Sequence, residues 1–269
     1  MGSVKDSPLG QTSAYVDHYD ASLLFAIARS EARSRIGISV PLPFVGEDVW
    51  NAYELSWLSE RGLPQVALAE IRVPCDSDSL VESKSLKLYL NGFANSRFAG
   101  RDEVEARIAQ DLSQLLAVSV GVNLRALDDT FPAPPPGICI DGQDIDIDCY
   151  EVDAGLLAAG DETVTERLYS NLLRSRCPVT GQPDWATLSI DYTGVAIQRD
   201  ALLRYLVSFR NHQGFHEQMV EQIFADIWRE CRPTRLTVYG RFTRRGGIDI
   251  NPWRSSEAGV ALNWREVRQ

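Results

Sequence analysis

Val49, Tyr53, Leu55 and Trp57 fall on one face of an alternating run, which predicts a strand over residues 49–58. After the turn at Arg61-Gly-Leu-Pro64 a second strand runs from Gln65 to Val73. The period then lengthens. Leu86, Leu90 and Phe93 recur at helical spacing from near Ser85, and Val104, Ile108, Leu112 and Leu115 follow at helical spacing in a second amphipathic segment. The second half returns to this order. It predicts a strand over 185–192, with Val195–Gln198 as a short partner or a turn, and a helix over Asp200–Phe209 capped by Asp200. A helix from about Phe215 to Trp228 then carries the stripe Met219, Ile223, Ile227, and strands over Leu236–Phe242 and Asp249–Trp253 follow. The stretch before Pro43 is expected to be partly ordered, with one helix from Asp20 to Arg33.

The two halves echo each other in residues as well as in order. Leu88-Tyr-Leu90 lies against Arg204-Tyr-Leu206, and Asp111-Leu112 against Asp226-Ile227, at nearly the same offset. Phe131-Pro-Ala-Pro-Pro-Pro-Gly137 interrupts every periodicity and reads as a linker. The expected organisation is α+β: a module over residues 1–130, the linker 131–137 and a module over 138–269, each an antiparallel sheet with a helix pair on one face.

Composition narrows the partners. Hydrophobic residues make up 44% and charged residues 24% of 269, the balance of a soluble globular protein. The longest apolar run, around Leu115–Leu124, is broken by Ser119 and Gly121, so no membrane span is expected. Lys5 and Asp6 do not begin a positive-then-apolar secretory layout, and a cytoplasmic protein is the expectation. A net charge of −10 argues against direct nucleic-acid binding. An anionic small molecule would need a local basic patch, and Lys84 with Lys87, and Arg241 with Arg244 and Arg245, offer two. Five scattered cysteines without a Cys-x-x-Cys pair point to reduced thiols.

Cys177-Pro-Val-Thr-Gly-Gln-Pro-Asp184 places a thiol seven residues ahead of a carboxylate across a Pro/Gly turn. A thiolate is a nucleophile and a nearby carboxylic acid can protonate what it attacks, so burial should raise the Asp184 pKa. Glu82-Ser-Lys84-Ser85-Leu-Lys87 enters a helix, where open N–H groups and two lysines would suit a phosphate, but on this segment alone a capped amphipathic helix with a solvated charged face is the favoured reading. His216-Glu217 opens a later helix; Val220 stands where a zinc protease needs its second histidine. Asp144-Ile-Asp146-Ile-Asp148 lacks the glycine and glutamate of a calcium loop, having Cys149 and Gly155 there, and reads as an alternating strand. Arg244-Arg245-Gly246-Gly247 is a tight turn or a phosphate approach, and no Gly-x-Gly-x-x-Gly supports a Rossmann site. His18, His212 and His216 match no metal spacing, so no metal is expected.

These motifs together, with Phe215-His216-Glu217 and Arg245-Gly-Gly-Ile-Asp-Ile-Asn-Pro-Trp253, resemble the NADPH-dependent 7-cyano-7-deazaguanine reductases of queuosine biosynthesis, in their long two-module branch. The resemblance implies tandem tunnelling-fold modules, a homodimer, and reduction of a nitrile to a primary amine with two NADPH. It also implies Cys177 as the nucleophile forming a thioimide, Asp184 as proton donor and His216 as its assistant. Glu82, Ser83, Lys84, His216 and Glu217 would hold the substrate, and Lys84, Ser85, Lys87, Arg245 and Gly246 would contact NADPH. Two other enzymes fit parts of the pattern: a thiol-dependent nitrile hydrolase, and a cyclohydrolase-like enzyme of the same fold acting on a pterin or purine. The basic patches favour the reductase over a hydrolase, which has no use for them; a non-catalytic binding module is the remaining reading.

Overall fold

A computed structural model describes residues 16–269, so Lys5 and Asp6 lie outside the described residues. The chain forms two compact units that are not contiguous in sequence. The first takes the described residues up to Ser34, Asp48–Thr130 and Arg244–Ile250; the second takes Arg35–Glu47, Phe131–Thr243 and Asn251–Gln269.

The first unit runs β1 (Ala26–Ala28), α1 (Ser30–Arg35), β2 (Val45–Leu58), β3 (Pro64–Pro74), β4 (Ser79–Val81), α2 (Ser83–Gly92), α3 (Arg101–Leu116) and β5 (Gly121–Arg125). β3 lies between β2 and β5, and β1 pairs antiparallel with β4. Trp50, Leu55 and Ile71 of the sheet pack with Leu86, Phe93 and Ile108 of the helical layer. The expected helix from Asp20 to Arg33 does not form. Asp20 Oδ1 takes the Ser22 N–H at 2.9 Å and closes one tight turn, Ala21–Leu23. Ala26–Ala28 then finds its backbone partners on β4, so helix begins only at Ser30.

The second unit contains β6 (Ile138–Cys139), β7 (Ala159–Arg176), β8 (Pro183–Ile197), α4 (Arg199–Ser208), α5 (His216–Cys231), β9 (Arg235–Phe242) and the later residues of β10 (Ile248–Ser255). β7 to β10 pair antiparallel in sequence order, and β6 adds a short parallel edge to β7. Val195–Gln198 is no separate partner: β8 continues to Ile197, opposite Ala159. Gly194 makes this possible, since a Cβ there would stand 2.8 Å from Pro233 Cα. Asp200 lies in the first turn of α4 and is not its cap; Gln198 holds that place without a side-chain bond. Asp144–Asp148 forms no strand. The Asp141 carboxylate takes the Ser170 hydroxyl at 2.6 Å and the Asn171 N–H at 3.1 Å, which ends the β7 pairing just after Ile140.

The internal echo is physical. Tyr89 donates to Asp111 Oδ2 at 2.7 Å and Tyr205 to Asp226 Oδ2 at 2.7 Å. Each tyrosine meets a phenylalanine edge-on, Phe93 at 5.2 Å and Phe209 at 5.3 Å. The longer helices both end on a left-handed residue, Ala117 at φ 54° and Arg232 at φ 47°. Burial, then Asp226, pushes the Tyr205 hydroxyl well above the usual phenol range, so it stays a donor. Tyr205→Phe is expected to cost about 1.5–3 kcal/mol, the worth of a hydrogen bond to a charged group. Tyr89→Phe should cost less, because Tyr19 donates to the same Asp111 oxygen at 2.7 Å. Thermal unfolding of the two variants checks the ranking.

Candidate active site

β7 decides where the thiol points. Its buried positions are Leu168 and Ser170 up to a bulge between Ser170 and Leu173, and Leu173 and Ser175 beyond it. The extra residue changes the parity of the strand, so Ser175, and Cys177 two residues on, face inward while Arg174 and Arg176 face the other way. Ser175 stands directly opposite Asp184 in the ladder. Cys177 therefore lies diagonally across from Asp184, which is what the seven-residue spacing achieves. The Cys177 N–H donates to Gln182 O at 2.9 Å and the Gly181 N–H to Cys177 O at 3.0 Å, with Gly181 at φ +67° where a side chain would be strained. Cys177 is 2% and Asp184 6% exposed, and none of the five cysteines is in a disulfide.

α5 brings the third group. His216 opens the helix with Nε2 3.4 Å from Asp184 Oδ2, and its ring lies flat on Phe242 at 3.7 Å and 6°. The Phe242 N–H donates to Asn251 Oδ1, and Gln269 Nε2 donates to both Phe242 O and Asn251 Oδ1, so the platform under the imidazole is fixed. Glu217, buried in the first turn, sits where the helix dipole favours an anion. Two polar atoms here are buried without a hydrogen-bond partner: His216 Nδ1 and Ser175 Oγ.

The first unit repeats the turn with other chemistry. The Ser59 N–H donates to Leu63 O at 2.9 Å and the Gly62 N–H to Ser59 O at 2.8 Å, so a serine stands where the second unit has its thiol. The converse holds at the short helices, where Glu82 caps α2 and Gln198 precedes α4. The helix start at Lys84 and Ser85 is capped, not open: Glu82 Oε1 takes the Lys84 N–H and Oε2 the Ser85 N–H, each at 2.7 Å. The Ser85 hydroxyl donates to Glu82 O at 2.7 Å and accepts the Phe25 N–H at 3.1 Å. Ser83, Lys84 and Lys87 are half-buried on the same helix.

Arg245 and Gly246 form a turn against Lys87; a Cβ on Gly246, at φ +63°, would lie 3.2 Å from Lys87 Cδ. Tyr53 fixes this turn, its N–H donating to Gly247 O and its hydroxyl to the buried Asp249 at 2.5 Å. The two basic patches read separately in the sequence thus meet at Lys87, Arg245 and Gly246. Arg241 is not among them. It is buried in the second unit against Gln269, Tyr239 and Asn263. A further cluster escaped the sequence because two segments build it: Arg174 and Arg210 lie over the Trp185 ring at 5.5 and 5.9 Å, near Arg176.

Among the described residues no group of three or more His, Cys, Asp or Glu side chains is arranged to hold a metal ion, and no helix is long and apolar enough to cross a membrane.

Residues 15–124 match the family model "Nitrile reductase, 7-cyano-7-deazaguanine-reductase N-term", and residues 183–260 match "QueF-like protein". The chain is 56% identical over 268 residues to the NADPH-dependent 7-cyano-7-deazaguanine reductase of Azoarcus sp., covering 98% of this chain and 95% of that protein. The protein of the same description from Verminephrobacter eiseniae is 52% identical over 281 residues, with 100% of each covered. Among solved structures, the apo form of the archaeosine synthase QueF-Like aligns with 37% of this chain and 99% of its own, at TM-score 0.32 and 14% identity. Two family models in sequence order and full-length relatives above half identity lead to one conclusion: the chain belongs to the NADPH-dependent 7-cyano-7-deazaguanine reductase family.

Proposed function

We propose that this chain reduces the nitrile of 7-cyano-7-deazaguanine to the aminomethyl group with two NADPH, through a covalent thioimide on Cys177. The observation that carries the reading is a buried thiol held in a rigid hairpin turn diagonally across from a buried carboxylic acid, itself in contact with a histidine. The Cys177 thiolate bonds to the nitrile carbon while Asp184 gives its proton to the nitrogen, converting C≡N to an S-bound C=NH. NADPH, when bound, supplies the hydride for each two-electron step. Loss of the thiolate after the first reduction leaves an imine, and Asp184 protonates nitrogen again after regaining a proton. His216 assists that recharging from 3.4 Å away.

Glu217 with His216, and Glu82 with Ser83 and Lys84, are the substrate residues that the resemblance assigns, and each carboxylate suits the N–H edge of a deazaguanine. The cap bonds orient the Glu82 carboxylate and leave each oxygen a lone pair for this purpose. Lys84, Lys87, Arg245 and the backbone at Gly246 suit the phosphates of NADPH, with Ser85 shaping the helix start beside them. The reading includes a cytoplasmic homodimer supplying the free aminomethyl base to queuosine biosynthesis.

The test is stoichiometric. Nitrile loss followed by mass spectrometry and NADPH oxidation followed by absorbance should give two NADPH per amine formed. Amide or acid formation without NADPH consumption would establish the hydrolase instead.

A further inference from the structure

Beyond Cys177, Asp184 and His216, one side chain in this region has no assigned task. Ser175 is fully buried, its Oγ has no hydrogen-bond partner, and it stands directly opposite Asp184 on the β7–β8 ladder. Directly opposed residues hold their Cβ atoms about 4.5–5.5 Å apart, so a rotation about the serine Cα–Cβ bond brings the hydroxyl to hydrogen-bond distance of an Asp184 oxygen. Burying a hydroxyl without a partner is costly, roughly 1–3 kcal/mol, and such an atom beside a reacting group asks for a reason. Leu173 and Cys177 flank Ser175 on the same face, so an alanine would serve packing as well. The bulge that turns Cys177 inward turns Ser175 inward too, which fixes its position on the Asp184 side of the sheet.

We propose that Ser175 is a positioning residue for the proton donor: its hydroxyl donates to the Asp184 carboxylate once that group has given its proton. This deepens the reductase reading and rests on it for the reaction step. In that step the S–C bond forms, one C–N π bond is replaced by N–H, and the proton comes from Asp184, which is left as a carboxylate in a buried place. The titratable groups the structure sets beside Asp184 are His216 on α5 and Cys177 in the turn, with Glu217 following His216. His216 Nε2 approaches Oδ2; Ser175 supplies a second, neutral donor that takes no proton from the cycle.

Ser175→Ala removes one atom and the donor. Without it the Asp184 carboxylate is less stabilised and its acid form weaker. Turnover should fall by about tenfold or more, the worth of a hydrogen bond to a charged group, while KM stays within about twofold. The high-pH limb of the turnover profile should move to higher pH, and Ser175→Thr, which keeps a hydroxyl, should restore the wild-type profile. A lowered Tm with an unmoved pH profile and unchanged turnover would reduce Ser175 to packing and overturn the proposal.

A second readout does not depend on turnover. Carbon-13 NMR of aspartate-labelled protein, assigned by Asp184→Asn, should show the Asp184 carboxyl titrating at higher pH in Ser175→Ala than in wild type. Should wild type fail to reduce the nitrile while this shift appears, the reaction is misassigned and the contact stands. Should wild type turn over normally and the titration be the same in both proteins, the contact is refuted.

Discussion

Cys177→Ala is expected to remove both the covalent adduct and turnover while leaving the fold in place. Wild-type protein given the nitrile without NADPH should gain the mass of one substrate, and the variant should gain nothing in intact-protein mass spectrometry. Reduction should fall by about a thousandfold or more, because the proposed mechanism opens the nitrile through this thiolate alone. The first unit sharpens the expectation. Its equivalent turn, one residue shorter, carries Ser59 and is closed by a similar pair of backbone bonds, Ser59 N–H to Leu63 O and Gly62 N–H to Ser59 O, so a hairpin turn closes at this place without a thiol. A hydroxyl is a far weaker nucleophile than a thiolate near neutral pH. Cys177→Ser should therefore be as inactive as the alanine variant, although its shape is nearly native. Asp184→Asn should retain substrate binding and lose about a hundredfold or more in turnover, the usual worth of a positioned general acid. Undiminished amine formation by Cys177→Ala would remove the thioimide from the mechanism.

What the sequence made legible was whatever followed a regular period. β2, β3, α2, α3, α5 and β9 lie close to where alternation or helical spacing predicts them, since each buries one face continuously. The Tyr89–Asp111 and Tyr205–Asp226 bonds give the internal echo its physical meaning. β7 is the opposite case. Its buried side changes parity at the bulge, so an 18-residue strand leading to Cys177 shows no steady alternation. The stretch before Pro43 misled because a single Asp20 cap bond closes one turn and the chain then turns to strand pairing. At the candidate site, the motifs supplied the residues proposed for it but not their couplings. The engagement of the α2 N–H groups by Glu82, the Phe242 platform under His216 and the contact of Lys87 with Gly246 all depend on tertiary approach. A glutamate placed just before a helix was the available signal for the first. The Arg174, Arg176 and Arg210 cluster left no linear signal, because it joins a strand to the turn after α4.

Arg254→Met is expected to be the most destabilising single change in the second unit. Arg254 is fully buried and Glu221 2% exposed; Nη2 and Nε donate to Glu221 Oε1 at 2.8 and 3.1 Å. Its Nη1 donates to Trp253 O and Glu47 O, and its guanidinium lies over the Phe44 ring at 5.6 Å. Removing the arginine takes one cation and two donated hydrogen bonds from a buried carboxylate, a loss of about 3–5 kcal/mol. At roughly 2–4 °C per kcal/mol for a domain of this size, Tm should drop by about 6–20 °C. Arg254→Lys should recover little, because an ammonium cannot reproduce the planar set of donors. The double variant Arg254→Met, Glu221→Leu should be more stable than either loss added to the other predicts, since it strands no charge. Glu221 lies on α5 five residues beyond His216, so the single variants should also lose turnover below their Tm, and the double variant should regain part of it. A Tm for Arg254→Met within about 2 °C of wild type would mean that the pair contributes nothing net to holding α5.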